Sequence, residues 1–331
     1  ALFIHAGRDG WGTCSEVDAH GYVSLGLSAT YERQMVEAAE YVMLEMNPNV
    51  PRTFGDTLVH ISEIDALVPV NYTLPELPLT PSNEKDMIIG ALIAEEVADG
   101  STLQLGIGGI PNAVTHALLG KKNLGIHTEM FTDGMIDLIL TGAVNGKEKT
   151  LHPNRIVATF ALGSKRLYDF IDDNPAVQIL DGHYVNNPYV IGQNAKMVSV
   201  NTTIEIDLTG QCCSESIGHV QFSGTGGQAD TAIGAQIAKG GKSFIALYAT
   251  ASVKQADGSR KLISKIVPRL KEGAAVTLSR SDVDYVVTEY GIASLRGTSI
   301  SERVNLLIGI AHPDFRQDLR TQALALQLIY E

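Results

Sequence analysis

Downstream of the proline-rich segment Leu74-Pro-Glu-Leu-Pro-Leu-Thr-Pro81, strand-like and helix-like runs alternate along most of the chain, and this alternation is the strongest constraint on its fold. Thr80 is placed to cap a helix with Pro81 at its first position. Ile88, Ile89, Leu92, Ile93 and Val97 then recur at helical spacing, and Gly100 supplies a stop. A strand over 102–105, a glycine turn and a helix over 111–119 follow. A strand over 124–128 leads into a helix over 130–140, and one over 155–162 into a helix over 165–171. Runs over 177–180, 197–200 and 243–249 read as further buried strands. Repeated strand–helix units predict an α/β fold with an open, mostly parallel sheet, whose ligands sit beyond the carboxyl ends of the strands.

Charge and cysteine usage narrow the function. The 331 residues carry 25 Lys and Arg against 37 Asp and Glu, a formal net charge of −12, so no nucleic-acid partner is expected. No apolar stretch approaches the roughly 18 residues of a membrane span, and no basic-plus-apolar leader opens the chain. Cys14, Cys212 and Cys213 are an odd count with two adjacent, neither a disulfide framework nor a zinc pattern, which points to the reducing cytoplasm. The nine histidines include no H-E-x-x-H pair, and no metal is expected.

The chain opens on the apolar run Ala1-Leu-Phe-Ile-His-Ala, as the middle of a domain would. Asp18-Ala-His-Gly21 and Asp207-Leu-Thr-Gly210 share a D-x-x-G core with a serine nearby (Ser24 and Ser214). As equivalent turns of two repeated halves they set a period of 207 − 18 = 189 residues. With the second half starting near residue 81, Asp207 lies 126 residues into it and Asp18 only 17 into the chain, so about 109 residues of the first half are expected to be missing. The expected domains are 1–80, the end of the first domain plus linker, and 81–331, the second.

Three glycine loops invite nucleotide readings. Leu105-Gly-Ile-Gly-Gly-Ile-Pro111 follows a strand and opens a helix, but Pro111 stands where a dinucleotide loop requires glycine. What survives is a strand end whose free amides point at an anion or oxyanion. Gly241-Lys-Ser243 ends like a phosphate loop yet enters a strand, and an NTPase is rejected. Ser223-Gly-Thr-Gly-Gly-Gln-Ala-Asp230 is the most glycine-dense segment, either a bare surface loop or a backbone open to close ligand approach.

Taken together, segments along nearly the whole chain resemble the acetyl-CoA hydrolase/transferase family, specifically its 4-hydroxybutyrate and butyryl-CoA:acetate CoA-transferases. They are Asp18 to Gly26, Asn47 to Asp56, Leu103 to Asn112, Gly125 to Met130, Tyr184 to Pro188, Ser223 to Asp230 and Asp284 to Gly291. The resemblance implies two similar open, mostly parallel α/β domains of CoA-transferase type, the first incomplete in this chain. It implies CoA transfer between a short-chain acyl-CoA and acetate, with acyl-CoA hydrolysis by the same glutamate as the alternative. A coenzyme A thioester is then a substrate, no prosthetic cofactor is expected, and the assembly is a homo-oligomer, a dimer.

Near-isoenergetic thioester exchange needs a carboxylate nucleophile, oxyanion donors and exclusion of water. The family's catalytic glutamate falls on Glu129, expected at a strand-to-helix junction where a glutamate also serves as a helix-dipole partner. Glu215 and Glu289 are rival carboxylates. Amides of Ile107 and Gly108 are candidates for one side of an oxyanion hole, and the resemblance puts Gly226 and Gly227 on the other. Asn201, expected just after a strand, reads as a CoA contact or a turn former. Lys242, Lys261 and Lys265 read as CoA-phosphate contacts or plain surface lysines, and His127 as a tuning group or a core histidine on the face of Glu129. A non-catalytic CoA- or nucleotide-binding module is the reading from a different class.

Overall fold

Strand–helix alternation is built twice, in two units distinguished by the computed structural model, which describes residues 4–6 and 9–330. The first unit takes residues 1–80, 99–104 and 119–195, and the second 81–98, 105–118 and 196–331. In chain order the elements used below are β1 (Asp9–Cys14), α1 (Glu32–Ala38), β2 (Tyr41–Met46), β3 (Phe54–Gly55), β4 (Ala66–Pro69), α2 (Glu84–Glu96), β5 (Thr102–Leu105) and α3 (Gly109–Ala117). They continue with β6 (Gly125–Phe131), α4 (Asp133–Leu140), β7 (Ile156–Ala161), α5 (Lys165–Ile171), β8 (Val177–Ile179), β9 (Met197–Thr202), α6 (Gln228–Ile237), β10 (Lys242–Ala246) and β11 (Tyr285–Thr288).

In the first unit β5, β6, β7, β8 and β3 lie side by side, all parallel. Strands buried on both faces read as continuous apolar runs, and Leu103, Ile126, Val157 and Ile179 are accordingly closed to solvent. A second parallel set, β1, β2 and β4, packs Cys14, Val42 and Leu44 against Val36 of α1. In the second unit β9, β10 and β11 are parallel and Gly291–Ser294 returns antiparallel on β11. Their core gathers Ile206, Ile245, Val286, Leu295, Val304 and Leu307. Helices α2 and α3 approach closely at Gly90, where a Cβ would come within 2.7 Å of the Ala113 backbone.

The 189-residue period recurs in the hydrogen bonds. The Asp18 carboxylate accepts from the His20 and Tyr22 amides at 2.8 and 2.9 Å, and Asp207 accepts from Thr209 and Gln211 at 2.9 and 3.1 Å. Asp18 N–H bonds the Tyr22 carbonyl and Asp207 N–H the Gln211 carbonyl. The glycine of each turn takes positive φ, +81° at Gly21 and +98° at Gly210. Register extends the match. Asp9 faces Tyr41 in β1/β2 and Val198 faces Lys242 in β9/β10, offsets of 198 − 9 = 189 and 242 − 41 = 201. Met43 faces Ala66 and Phe244 faces Tyr285, offsets of 244 − 43 = 201 and 285 − 66 = 219. At those same offsets the Asp65 carboxylate accepts the Val42 amide and Asp284 the Ser243 amide.

Several expected boundaries move. Helix α2 starts at Glu84, not after Thr80, because Asn83 and Asp86 form a reciprocal capping box that satisfies two backbone donors. Strand β6 continues to Phe131, and α4 begins at Asp133, because Met130 and Phe131 pair with Phe160 and Ala161. Glu129 therefore sits inside a strand, not at a helix start. Asn201 likewise lies within β9, paired with Ile245. Of the opening run, Ile4–Ala6 is a strand and residues 1–3 lie outside the described residues.

Candidate active site

Strand β5 ends at Leu105, and the Gly106 amide bonds the Val200 carbonyl of β9 at 3.0 Å, fixing where the glycine loop leaves the sheet. Gly108 has φ +106° and ψ −173°, a region open in practice to glycine alone, and serves as N-cap of α3. The space a Cβ would occupy at Gly108 is empty, whereas at Gly109 it would overlap the Asp86 carboxylate. Among the described residues the amides of Ile107 and Gly108 have no hydrogen-bond acceptor. Both residues line a cavity of about 320 Å³ within the second unit. Its wall consists of residues 107–111, Thr202 to Ile204 at the end of β9, Ser214, Ala246 to Tyr248 at the end of β10, and Lys265. The cavity thus lies at the carboxyl ends of parallel strands.

A polar network backs this wall. The Tyr248 hydroxyl donates to Asp86 Oδ1 at 2.6 Å and accepts from Asn83 Nδ2 at 2.9 Å. Burial first, and then the Asp86 carboxylate, push the Tyr248 phenol up, so it remains a donor. Lys85 and Lys265 each hold an ammonium 5.8 Å from the Tyr248 ring centroid. Lys85 pairs with Glu289 at 2.7 Å, and Glu289 also accepts the Ala249 amide at 2.8 Å. Burial works to raise the Glu289 carboxyl, but the Lys85 ammonium and the Ala249 amide outweigh it and leave it lowered. Burial pushes Lys265 down to about 8, against the upward pull of Glu289 and Glu205.

Glu129 belongs to the first unit, half-buried near the carboxyl end of β6 between two parallel neighbours. Strand alternation places Gly125, His127 and Glu129 on one face. A Cβ at Gly125 would overlap the Lys149 side chain, which runs into the space glycine leaves. Lys149 is buried, and its ammonium donates to the Ile126 and Arg155 carbonyls at 2.7 and 2.8 Å. Burial pushes it down to about 7. His127 is a core histidine whose Nε2 bonds the Val185 carbonyl at 2.9 Å, and burial pushes it down to about 4, keeping it neutral. Nothing in the sequence pattern marked Lys149; the vacated side-chain position at Gly125 is the signal for it.

The remaining candidates separate. Asn201 Nδ2 reaches Ser199 and Thr231 at 3.0 Å, and Gln228 Nε2 reaches the Thr202 carbonyl, so the Gly226–Gly227 loop and the first turn of α6 are held at the end of β9. Glu215 accepts from Thr225 Oγ1 at 3.4 Å, and its carbonyl takes the Phe222 amide. Lys242 pairs with Glu96 at 2.6 Å and Lys261 sits on an exposed hairpin, whereas Lys265 alone of the three lines the cavity. No group of three or more His, Cys, Asp or Glu among the described residues is placed to hold a metal, and no helix is long and apolar enough to cross a membrane.

Residues 13–75 match the acetyl-CoA hydrolase/transferase N-terminal domain and residues 163–323 the C-terminal domain. A succinyl-CoA:cyclohexane-1-carboxylate CoA transferase of Geobacter metallireducens is 50% identical over 93% of this chain and 69% of its own length. A 4-hydroxybutyrate coenzyme A transferase of Clostridium kluyveri is 49% identical over 93% of this chain and 70% of its own. The crystal structure of a 4-hydroxybutyrate CoA-transferase from Porphyromonas gingivalis superposes with a TM-score of 0.83 at 42% identity, covering 96% of this chain and 75% of that one. An acetyl-CoA hydrolase of Candida albicans matches at 29% over 73% of this chain and 46% of its own length.

Proposed function

Since the chain belongs to the acetyl-CoA hydrolase/transferase family and is a CoA-transferase, we propose that it moves CoA between butyryl-CoA or 4-hydroxybutyryl-CoA and acetate, with Glu129 as nucleophile. The observation that carries the transferase reading is the identity gap: relatives named CoA transferases match at 49 and 50%, and the hydrolase at 29%. In this reading residues 1–80 are the C-terminal part of a first CoA-transferase domain plus linker and 81–331 are the second domain, the protein is a cytoplasmic homodimer, and acyl-CoA and small carboxylates are its substrates.

The proposed cycle is balanced without a net proton. A Glu129 carboxylate oxygen attacks the acyl carbonyl, the C–S bond breaks, and CoA leaves as thiolate from a mixed anhydride. The thiolate attacks the glutamyl carbonyl, the anhydride C–O bond breaks, and the first acid leaves as its carboxylate. Acetate then attacks the glutamyl thioester and the thiolate the resulting acetyl carbonyl, giving acetyl-CoA and restoring the glutamate. The amides of Ile107 and Gly108, with those of Gly226 and Gly227, are the proposed donors to the tetrahedral oxyanions, and Asn201 a proposed contact to CoA. Glu289 is a poorer nucleophile, since Lys85 and the Ala249 amide already hold its carboxylate.

Butyryl-CoA mixed with acetate should yield acetyl-CoA with ping-pong kinetics. Thiol release independent of acetate, with no acetyl-CoA formed, would establish the hydrolase instead. Borohydride added with acyl-CoA should reduce the glutamyl thioester, and peptide mapping should find the change at Glu129. A label at Glu289 or Glu215, or full activity in Glu129→Gln, overturns the assignment.

A further inference from the structure

The cavity of the second unit is lined by two features suited to an anion, beside apolar side chains and the hydroxyl-bearing Thr202, Thr203, Ser214 and Tyr248. One is the pair of amides at Ile107 and Gly108, and the other is the ammonium of Lys265. Ile110, Pro111, Ile204, Ala246 and Leu247 supply the apolar surface. At about 320 Å³ the space has room for a short acyl group.

Lys265 is fixed in place by its backbone: its amide bonds the Ala249 carbonyl at 2.9 Å and its carbonyl takes the Ile206 amide at 3.0 Å. The half-buried side chain lays its ammonium over the Tyr248 ring and reaches the Thr203 carbonyl only at 3.4 Å. Among the described residues no carboxylate stands within ion-pair distance of it. The two that act on it are otherwise situated: Glu289 is bound to Lys85, and Glu205 is buried with one carboxylate oxygen unpartnered. An ammonium has three donors, so this cation retains hydrogen-bonding capacity toward the cavity.

We infer that Lys265 reads the far end of the acyl chain and makes the enzyme favour, among acids of equal length, the one that carries a second carboxylate there. A four-carbon dicarboxylate half-thioester presents a thioester carbonyl at one end, an acceptor for the loop amides, and an anion at the other, an acceptor for the ammonium. A charge-assisted contact gives that anion an advantage over a terminal hydroxyl, and the hydroxyl one over a methyl group. This selectivity rests on the CoA-transferase reading above.

Succinate, 4-hydroxybutyrate and butyrate are the probes, since they differ only at the far end. With acetyl-CoA as donor, kcat/KM should fall in that order, and the succinate-to-butyrate ratio should drop by about tenfold or more in Lys265→Met. Lys265→Arg, which keeps the charge, should retain part of the preference. Succinate should protect the wild-type protein against thermal unfolding more than butyrate does, and Lys265→Met should lose that difference. A ratio unchanged by Lys265→Met, or butyrate preferred by the wild type, overturns the inference. If Lys265 instead holds a CoA phosphate, Lys265→Met raises KM for every acyl-CoA alike and leaves the ratio untouched. If no acid accepts CoA, the transferase reading fails, while the protection measurement still decides on Lys265.

Discussion

The contact from Tyr248 to Asp86 joins residues 162 positions apart and holds the cavity wall to the first turn of α2. Asp86 is 1% exposed, accepts the Asn83 amide at 2.8 Å in the capping box, and lies against Gly109. Asp86→Ala removes a capping interaction of about 1 kcal/mol and a hydrogen bond to a charged group of about 1.5–3 kcal/mol, so a loss of about 3 kcal/mol is expected. Tyr248→Phe keeps the ring on the wall but removes the hydroxyl, for a loss of about 2 kcal/mol with one Asp86 oxygen left short of a donor. The two should not add. Once either partner is gone the second substitution no longer breaks the bond, so the double mutant should be about 2 kcal/mol more stable than the sum predicts. Urea unfolding of the four proteins, followed by circular dichroism with unchanged slope, measures this coupling. Losses additive within about 0.5 kcal/mol would refute the reasoning, because independent sites behave in that way.

Three further outcomes follow from the geometry. Gly108→Ala places a side chain at φ +106° and ψ −173°, so a loss of about 1–3 kcal/mol is expected even though the space is open; turnover should fall with it as the loop amides shift, and unchanged stability in urea would contradict the assigned backbone. Lys265, free at 10.5 and held at about 8, is charged below that pH and neutral above it, so the succinate-to-butyrate ratio should fall as pH rises through 8, and a flat ratio from pH 6.5 to 9.5 would contradict the cation's role. Cys14, Cys212 and Cys213 are buried, and burial raises the Cys14 thiol to about 12; a thiol reagent should therefore titrate none of them until denaturant is added.

Much of this was legible in the chain because the signals were local. Helix α5 falls where the apolar spacing put it, at Lys165–Ile171, and the D-x-x-G turns of Asp18 and Asp207 carry matching bonds. Errors arose where a ladder or a cap overrode local preference. Glu-Met-Phe after Thr128 has no strong strand signature, yet pairing with β7 carries β6 to Phe131. Thr80-Pro81 is a sound helix start in isolation, but the Asn83–Asp86 box satisfies more backbone donors three residues on. Lys242 and Lys265 were indistinguishable in sequence; one is paired with Glu96 and the other lines the cavity. Contacts such as Tyr248 to Asp86 have no local trace.

The duplicated scaffold separates what the fold requires from what the second unit adds. At offset 189, Thr202 to Ile204 correspond to Thr13 to Ser15, and at offset 201, Tyr248 corresponds to 248 − 201 = 47, which is Asn47. Asn47 is fully buried; its amide bonds the Cys14 carbonyl at 2.9 Å and its side chain donates to the Tyr72 carbonyl at 2.9 Å. That position in the first unit fixes the loop Asn47-Pro-Asn-Val-Pro51 over the strand ends. In the second unit the equivalent residue is a tyrosine whose hydroxyl turns to α2 and whose ring faces two lysines, and a cavity lies beside it. The turns and the Asp65 and Asp284 clamps persist in both copies because the backbone needs them wherever this strand order is built. Chemistry follows instead from the residues at the strand ends, where a change of side chain leaves the sheet intact.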